Sequence, residues 1–231
     1  MKLSNFLKLA SALFIISISC GQKQQKNHAQ SETEMQNTIN QTIEISNLQK
    51  ISISDIPDMV AYMGELKEVY RYFDKTGENI LILTETDVTT SEDEDGEILS
   101  HKALYAYRFL NINNKSKEEW CVNHRERECI NYPVAEFVKD ALSITDLDNN
   151  GIAEIWVIFI ASCRGDFSPD KLFITMYENN VEYRMTGERK LKFAGEVIGG
   201  EYTFNQKFRD NNTSQAFREY GIALWEKYVE N

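Results

Sequence analysis

From residue 43 to residue 204 the chain alternates short apolar runs with turn residues such as Gly, Asn and Asp. Apolar and polar positions that alternate with a period of two are typical of half-buried β-strands. The turn sequences Asp74–Gly77 and Glu178–Asn180 each lie between two such runs and predict β-hairpins. Strands are therefore predicted at residues 43–56, 65–73, 79–88, 101–110, 119–122, 129–132, 155–160, 172–177, 181–186, 193–198 and 202–204. Residues 134–145 fit either a strand or a helical turn followed by a strand.

The C-terminal part of the chain has the period of a helix instead. One stripe, with Trp225 alongside it, consists of residues at helical spacing: Phe217, Tyr220, Leu224 and Tyr228. Asn212 and Gln215 resemble a capping box, which predicts that the helix begins near them. Such a stripe is typical of core contact, so we expect the helix to cover one side of a sheet.

Two turns in the chain share a pattern. Phe73–Gly77 and Leu147–Gly151 each combine an aspartate with a closing glycine, and each precedes an apolar run. Recurrence of this kind suits a β-meander or a fragment of propeller-like blades. Together with the C-terminal amphipathic helix, the pattern predicts an α+β fold built on a β-rich antiparallel sheet.

The first nineteen residues have the composition of a secretory signal rather than of a core element. Lys2 and Lys8 supply positive charge, and Leu9–Ile18 is apolar but too short to span a bilayer. The junction Ser17–Gly21 resembles a bacterial lipobox, which implies that the leader is cleaved and that Cys20 is acylated. An ordinary signal peptide with an incidental cysteine is the alternative. Two or more acyl chains would anchor the protein stably to a membrane.

Residues 20–42 are rich in Gln and Asn and almost devoid of large apolar groups. Such a segment does not bury enough apolar surface to order itself. We therefore predict a flexible tether, followed by a single β-rich globular domain from residue 43 to residue 231. By analogy with lipoprotein sorting, Gly21 after the cysteine favours the outer membrane. We expect the periplasmic face, with the cell surface as the alternative.

The chain is acidic. Its formal net charge is −11, and the loss of Lys2 and Lys8 with the leader would leave −13. We expect no binding to nucleic acid or to bare anionic lipid, because their phosphates repel so acidic a protein. The expected partners are the membrane, through the lipid anchor, and an envelope glycan or an envelope protein.

An aspartate-rich loop precedes the most strand-like run of the chain, residues 155–160. Oxygen atoms recur at every second position of this loop, on the side chains of Asp146, Asp148 and Asn150, the backbone carbonyl of Ile152 and the side chain of Glu154. Hard cations such as Ca²⁺ prefer oxygen ligands, and Gly151 allows the sharp turn that wraps them. The spacing predicts a structural Ca²⁺ site. The alternative is a metal-free turn in which the same side chains accept bonds from backbone amides.

The loop lacks the bidentate glutamate of an EF-hand, because its twelfth position is Val157. Its pattern resembles the DxDxDG loops of FG-GAP-type repeats, which hold calcium between β-strands. Asn150 stands where that pattern has an aspartate, which lowers the negative charge of the predicted site.

If Cys20 is acylated, three cysteines remain for an oxidising compartment: Cys121, Cys129 and Cys163. One disulfide and one buried thiol are expected, and the residues alone leave all three pairings open. A Cys₃His zinc site that adds His124 is the alternative, although its spacing matches no strong zinc template.

The chain contains no GxSxG, HExxH or phosphate-binding GK[ST] motif. A nucleophilic Cys163 with His101 or His124 is one enzymatic alternative. A glycan-modifying enzyme that uses acids such as Asp166 and Glu154 is another, and a surface adhesin or binding module is a third. A non-enzymatic envelope protein agrees best with the missing motifs, and no catalytic residue is assigned.

Two segments resemble a family of small bacterial lipid-anchored proteins. These are the loop and strand at Thr145–Phe159 and the Cys-x-x-Asp-x-Ser-Pro segment at Cys163–Pro169. Some members carry a surface-polysaccharide-biosynthesis label, so the resemblance implies a supporting role in surface-polysaccharide or envelope biogenesis. It also implies a disulfide between Cys129 and Cys163, and it implies no catalytic residue.

Overall fold

Fourteen β-strands, one 3₁₀ helix (Ile53–Asp55) and two α-helices lie in the described part of the computed structural model, which is residues 48–57, 60–113, 115–165 and 167–230. The predicted leader, Cys20, the tether and Asp166 lie outside these residues. The strands are β1 (Gln49–Lys50), β2 (Glu65–Asp74), β3 (Gly77–Glu85), β4 (Thr89–Glu92), β5 (Ile98–Ile112), β6 (Lys115–Cys129), β7 (Tyr132–Phe137), β8 (Ser143–Thr145), β9 (Glu154–Arg164), β10 (Lys171–Glu178), β11 (Val181–Glu188), β12 (Leu191–Phe193), β13 (Glu196–Ile198) and β14 (Tyr202–Phe204). The helices are α1 (Gln206–Arg209) and α2 (Gln215–Tyr228).

Six strands from the first half of the chain form one antiparallel sheet, sheet 1. Its order is β1-β2-β3-β5-β4, and β6 pairs with the edge of β5 opposite to β3 and β4. The hairpin predicted at Asp74–Gly77 joins β2 and β3. β5 and β6 are each 15 residues long, whereas the pattern predicted shorter strands. Most side chains of β6 are exposed or half-buried, so its apolar pattern is weak and its pairing with β5 defines it.

Six later strands form sheet 2, in the order β14-β11-β10-β9-β7, with β8 also paired to β9. All of these pairings are antiparallel, and the hairpin predicted at Glu178–Asn180 joins β10 and β11. β12 and β13 form a two-stranded ribbon where one strand was predicted. Ala194 and Gly195 between them have φ of 52° and 87°, a left-handed turn of the type that closes hairpins.

The two sheets pack face to face, and this explains the continuous apolar run of β9. Its odd-numbered residues from Ile155 to Ala161 lie in the layer between the sheets, together with sheet 1 residues such as Leu104. Its even-numbered residues, such as Trp156, lie on the opposite face in a cluster with Phe217 of α2. Because both faces of the strand are covered, every position of the run is apolar.

α2 covers the outer face of sheet 2 through four buried residues, Phe217, Gly221, Leu224 and Trp225. The predicted capping box is wrong, because Ser214 is the N-cap residue and makes no side-chain capping hydrogen bond. Asn212 belongs to the preceding turn, where its N–H donates to Asp210 Oδ1 at 2.9 Å. A local sequence match did not reveal which of two nearby polar residues begins the helix.

Residues 51–57 and 60–62 lie over the outer face of sheet 1. Ile51, Ile56 and Tyr62 pack on a cluster there that contains Ile80 and Tyr107. The described residues thus form four layers, with two antiparallel sheets in the middle. The predicted α+β class with a β-rich antiparallel architecture and a C-terminal helix is confirmed.

Candidate functional site

The aspartate-rich loop connects β8 to β9. β8 pairs with the start of β9, so that Thr145 lies opposite Glu154 and residues 146–153 close a hairpin. Asn149 and Gly151 have φ of 58° and 80°. Glycine adopts this left-handed conformation without steric cost, and asparagine tolerates it better than most residues. The turn residues of the sequence therefore shape the loop locally.

Three carboxylates converge in this loop. Asp146, Asp148 and Glu154 each place an oxygen atom within 4.8 Å of the other two. Asp148 is exposed and Asp146 is half-buried, whereas Glu154 has 0% of its surface exposed. Among the described residues, no lysine, arginine or histidine forms an ion pair with any of the three. The structure thus brings these predicted ligands together with uncompensated negative charge.

The same oxygen atoms accept hydrogen bonds from the loop backbone. Asp146 accepts the N–H groups of Asn150 and Gly151 at 3.0 and 3.1 Å. Asp148 accepts the N–H of Asn150 at 3.2 Å, and Asn150 Oδ1 accepts the N–H of Ile152 at 2.7 Å. Such contacts are typical of an Asx-rich turn. The carboxylate oxygens can still coordinate a metal ion, since each of them has two lone pairs.

Glu154 holds the base of the loop. Its two oxygen atoms accept the N–H of Leu147 at 3.0 and 2.9 Å, and Oε2 also accepts the hydroxyl of Thr145 at 2.7 Å. Burial is the main cause that raises the pKa of Glu154 to about 7. The hydrogen bonds oppose this increase in pKa, and the charges of Asp148 and Asp146 reinforce it. A fully buried carboxylate bonded to the loop backbone fits an anchoring role.

Glu178, at the end of β10, is a fourth carboxylate that the sequence analysis missed. It lies opposite Glu154 in the pairing of β9 with β10, and Asn150 Nδ2 donates to its Oε1. Burial raises the pKa of Glu178, with an opposing effect of that hydrogen bond and a further increase from Asp148 and Asp146. No local motif marks Glu178, because only the antiparallel register carries it to the loop.

The loop is also bonded to sheet 1. The N–H of Lys75 donates to the carbonyl of Gly151 at 2.8 Å, and the N–H of Ala153 donates to Asp74 Oδ2 at 3.1 Å. Asp74 is itself buried, and its Oδ1 accepts the N–H of Thr76 at 2.8 Å. The two turns that share a pattern in the sequence therefore meet in space, at a junction between the sheets.

The donor set of the loop is entirely oxygen. Such a set with several negative charges suits Ca²⁺, whereas zinc and copper sites favour nitrogen and sulfur ligands. Asp146, Asp148 and Glu154 are the side chains that would hold the ion. The amide Nδ2 of Asn150 donates to Asp148 and Glu178, and its Oδ1 accepts the N–H of Ile152.

A disulfide joins Cys129 at the end of β6 to Cys163 in β9, with the Cα atoms 5.4 Å apart. This bond connects sheet 1 to sheet 2, and it is the pairing that the family resemblance implied. Cys121 is a free, half-buried thiol, and burial raises its pKa to about 11. The bonded cysteines do not offer thiolate ligands, which argues against the zinc alternative.

His101 is not placed as a general base. Its Nδ1 accepts the N–H of Glu128 at 3.2 Å. In a neutral imidazole the other nitrogen then carries the proton, so Nε2 donates to Ser91 Oγ at 2.7 Å. A base that activates a serine must accept the hydroxyl proton instead. This Ser–His contact therefore fits a structural hydrogen bond.

His124 lies in the layer between the sheets. Its ring centroid is 5.3 Å from that of Phe159 and 4.8 Å from that of Phe173, and its Nε2 is 2.9 Å from Glu126 Oε1. Cys163, the nucleophile of one enzymatic alternative, is bonded to Cys129. Neither partner of that alternative is therefore arranged for nucleophilic attack.

Comparisons with protein-family models, with curated proteins and with solved structures found no match for the chain. The resemblances to a lipoprotein family and to FG-GAP-type loops therefore stay predictions. Within the described ranges, no helix combines the length and the apolar character needed to cross a membrane.

Proposed function

We propose that the chain is a lipid-anchored protein of the cell envelope, without enzymatic activity, whose aspartate-rich loop holds a structural Ca²⁺ ion. Acylation at Cys20 would anchor it to the outer membrane, on the periplasmic face. Its role would be to support surface-polysaccharide or envelope biogenesis. The position of the loop carries the structural part of this proposal, because buried Glu154 and the bonds to the Asp74 turn put it at a junction between sheets.

The disulfide supports the proposed export of the chain. Disulfides form and persist in oxidising compartments and are rare in the cytosol. Cys129 and Cys163 are 34 residues apart in sequence, and their bond joins two sheets, which is typical of a structural bridge. Together with the signal-like leader, it favours a protein that matures outside the cytoplasm.

The charge balance of the loop supports the calcium part. When bound, Ca²⁺ would supply positive charge beside Asp146, Asp148 and Glu154, which form no ion pair with any described lysine, arginine or histidine. The ion would stabilise the charged form of the fully buried Glu154 most, since a charge in a low-dielectric site interacts strongly with a neighbouring cation. An ion held at a junction between sheets would stabilise the native state against unfolding.

Mass spectrometry of the amino-terminal peptide tests the anchor. For the chain purified from a bacterial membrane fraction, we expect a peptide that begins at Cys20 and carries acyl groups. Cys20→Ser is the matched control and should yield an unmodified peptide and lose membrane association. An unacylated amino terminus on the native chain would overturn the proposed anchor.

Unfolding of the full-length chain with and without calcium tests the loop. At a Ca²⁺ concentration of 100 times the dissociation constant, we expect the free energy of unfolding to rise by about 2.7 kcal/mol. Asp148→Asn should weaken this response, because it removes an exposed ligand charge. Asp55→Asn is a matched control, since the Asp55 carboxylate also accepts a backbone N–H, that of Ser52, at an exposed site. Equal melting temperatures with EGTA and with calcium would contradict the calcium proposal.

A further inference from the structure

A cavity of about 310 Å³ opens at the end of β9 that lies away from the aspartate-rich loop. Arg164, the last residue of β9, lines it together with Arg189 and Lys190, which connect β11 to β12. Among the described residues that line it, Asp170, just before β10, is the one carboxylate. In a chain with a net charge of −11, this cavity therefore has a local excess of positive charge, which attracts anions.

The three cations differ in how far they are neutralised. Arg164 forms a two-point ion pair with Asp170, through Nε and Nη2. Lys190 Nζ lies 2.9 Å from Glu230 Oε1, and both side chains of this pair are substantially exposed. Arg164 and Lys190 are thus each paired with a carboxylate, which leaves Arg189 as the third cation to consider.

Arg189 has no carboxylate ion pair among the described residues, and its buried Nε has no hydrogen-bond partner. Burial lowers the pKa of its guanidinium, the charge of Asp170 opposes this effect, and the charge of Arg164 adds to it. The backbone N–H of Arg189 donates to the carbonyl of Asp170 at 2.9 Å, which holds the residue beside the cavity. A guanidinium in this state is a strong site for a carboxylate or phosphate group.

An aromatic surface adjoins the charge. Phe167 lines the cavity and is 69% exposed. Phe193 of β12 stacks on it, with ring centroids 4.4 Å apart, and is itself 45% exposed. Phe193 thus supports the Phe167 ring from one side, and most of Phe167 stays open to solvent. The face of an aromatic ring carries partial negative charge, which favours contact with the weakly positive C–H groups of a pyranose ring.

We propose that this cavity binds an acidic sugar residue, with its carboxylate or phosphate group on Arg189 and Lys190 and its ring against Phe167. The volume lies at the lower end of the range of about 300–1,000 Å³ for ligand pockets, which suits one ring with its acidic group. The inference rests on the proposed envelope function only for the source of the ligand. Binding by the purified protein does not depend on the lipid anchor or on calcium.

Ligand titration of the purified full-length chain, followed by NMR, tests the proposal with four probes. D-glucuronate and D-glucose 6-phosphate distinguish a carboxylate from a phosphate, whereas D-glucose lacks the charge and acetate lacks the ring. We expect at least one of the two acidic sugars to bind about tenfold more tightly than both glucose and acetate. Acetate or glucose binding as tightly as the acidic sugars would overturn the proposal.

Variants place the binding in this cavity. Arg189→Met should reduce the affinity for the acidic sugar about tenfold, because it removes the charge-assisted bonds. Phe167→Ala should reduce it about fivefold and leave acetate unchanged, because it removes only the ring contact. Arg209→Met is the matched control, since Arg209 is an exposed arginine of α1 away from the cavity lining.

Lys190→Met gives a second measurement if Arg189→Met does not fold, because Lys190 is paired with an exposed partner. Undiminished binding by folded Arg189→Met, or by both Lys190→Met and Phe167→Ala, would overturn the assignment to this cavity. Either result would leave the acylation of Cys20 untouched, since mass spectrometry tests it separately.

Discussion

Strand β9 has opposite chemistry at its two ends. It begins at Glu154, beside Asp146 and Asp148, and it finishes at Arg164, beside Arg189. The acidic end is almost continuous in sequence, whereas the basic end combines the last residue of β9 with two separate connections, β9–β10 and β11–β12. The difference shows why spacing in the sequence indicated one candidate site and missed the other.

The two ends are also tied to sheet 1 in different ways. At the acidic end two hydrogen bonds form the tie, from the N–H of Lys75 to the carbonyl of Gly151 and from the N–H of Ala153 to the buried carboxylate of Asp74. Near the basic end it is the disulfide between Cys129 and Cys163. If both ties stabilise the packing of the sheets, removing either one should cost stability, and the covalent tie should cost more.

The disulfide should give the largest effect. The double variant Cys129→Ser/Cys163→Ser is expected to lose about 2–5 kcal/mol of unfolding free energy, because the unfolded chain gains freedom when the bridge is absent. Urea unfolding under non-reducing conditions measures this loss. Cys121→Ser is the matched control, since Cys121 is a free thiol. A loss no greater than that of the control would show that the bridge does not stabilise the fold.

Asp74→Ala should have the next largest effect. The side chain is 5% exposed, and its removal leaves the N–H groups of Ala153 and Thr76 without an acceptor. Each unpaired buried group costs about 1–3 kcal/mol. Asp74→Asn keeps one acceptor oxygen and should lose less in the same urea unfolding experiment. Asp55→Ala alters an exposed carboxylate and is the control. If Asp74→Ala lost no more unfolding free energy than Asp55→Ala, the Asp74 hydrogen bonds would not stabilise the packing of the sheets.

Gly151→Ala tests the shape of the acidic end. Gly151 has φ of 80°, and the nearest side-chain atom that a Cβ would meet is 3.5 Å away on Lys75. The expected loss of about 1–2 kcal/mol therefore comes from the left-handed backbone and not from a clash. Gly151→Asn should lose less, because asparagine tolerates this conformation. Thermal unfolding compares them, and equal losses would point to contact with Lys75 instead.

Acid should weaken the basic end by a smaller amount. Burial alone would raise the pKa of Asp170, but hydrogen bonds from Arg164 and Ser162, together with the charges of Arg164 and Arg189, lower it below its ordinary value of 3.8. A carboxylate with a depressed pKa stabilises the fold above its ordinary pKa, and this contribution is lost as the pH falls through the folded value. The pair is worth less than about 1 kcal/mol, because Arg164 is 52% exposed.

Arg164→Met isolates this contribution. The difference in unfolding free energy between the native chain and Arg164→Met should be present at pH 7 and should shrink below pH 3.8. A difference that stays constant from pH 7 to the acid limit would mean that the Arg164–Asp170 pair contributes no pH-dependent stability.

Most strands and turns that local patterns describe were predicted. The prediction of a strand was wrong for residues 51–56, where Ile53–Asp55 forms a 3₁₀ helix, and for residues 130–131 between β6 and β7. The hairpins at Asp74–Gly77 and Glu178–Asn180 and the buried run of β9 agree with the structure, because turn residues and apolar spacing act between neighbours in the chain. The full length of β6 and the β12–β13 ribbon were not predicted. These strands form because their backbones pair with neighbouring strands, and the apolar pattern of a strand does not indicate which strand it pairs with.

The same division holds for the candidate sites. Asp146, Asp148 and Glu154 come together because a short, glycine-containing turn leaves them few other arrangements, so their proximity follows from the order of residues. Glu178 reaches the loop only through strand register. Arg164, Asp170 and Arg189 become neighbours only because β9, β10 and β11 lie side by side and their ends meet. Contacts between residues distant in the chain depend on the packing of whole sheets, and no local spacing encodes them.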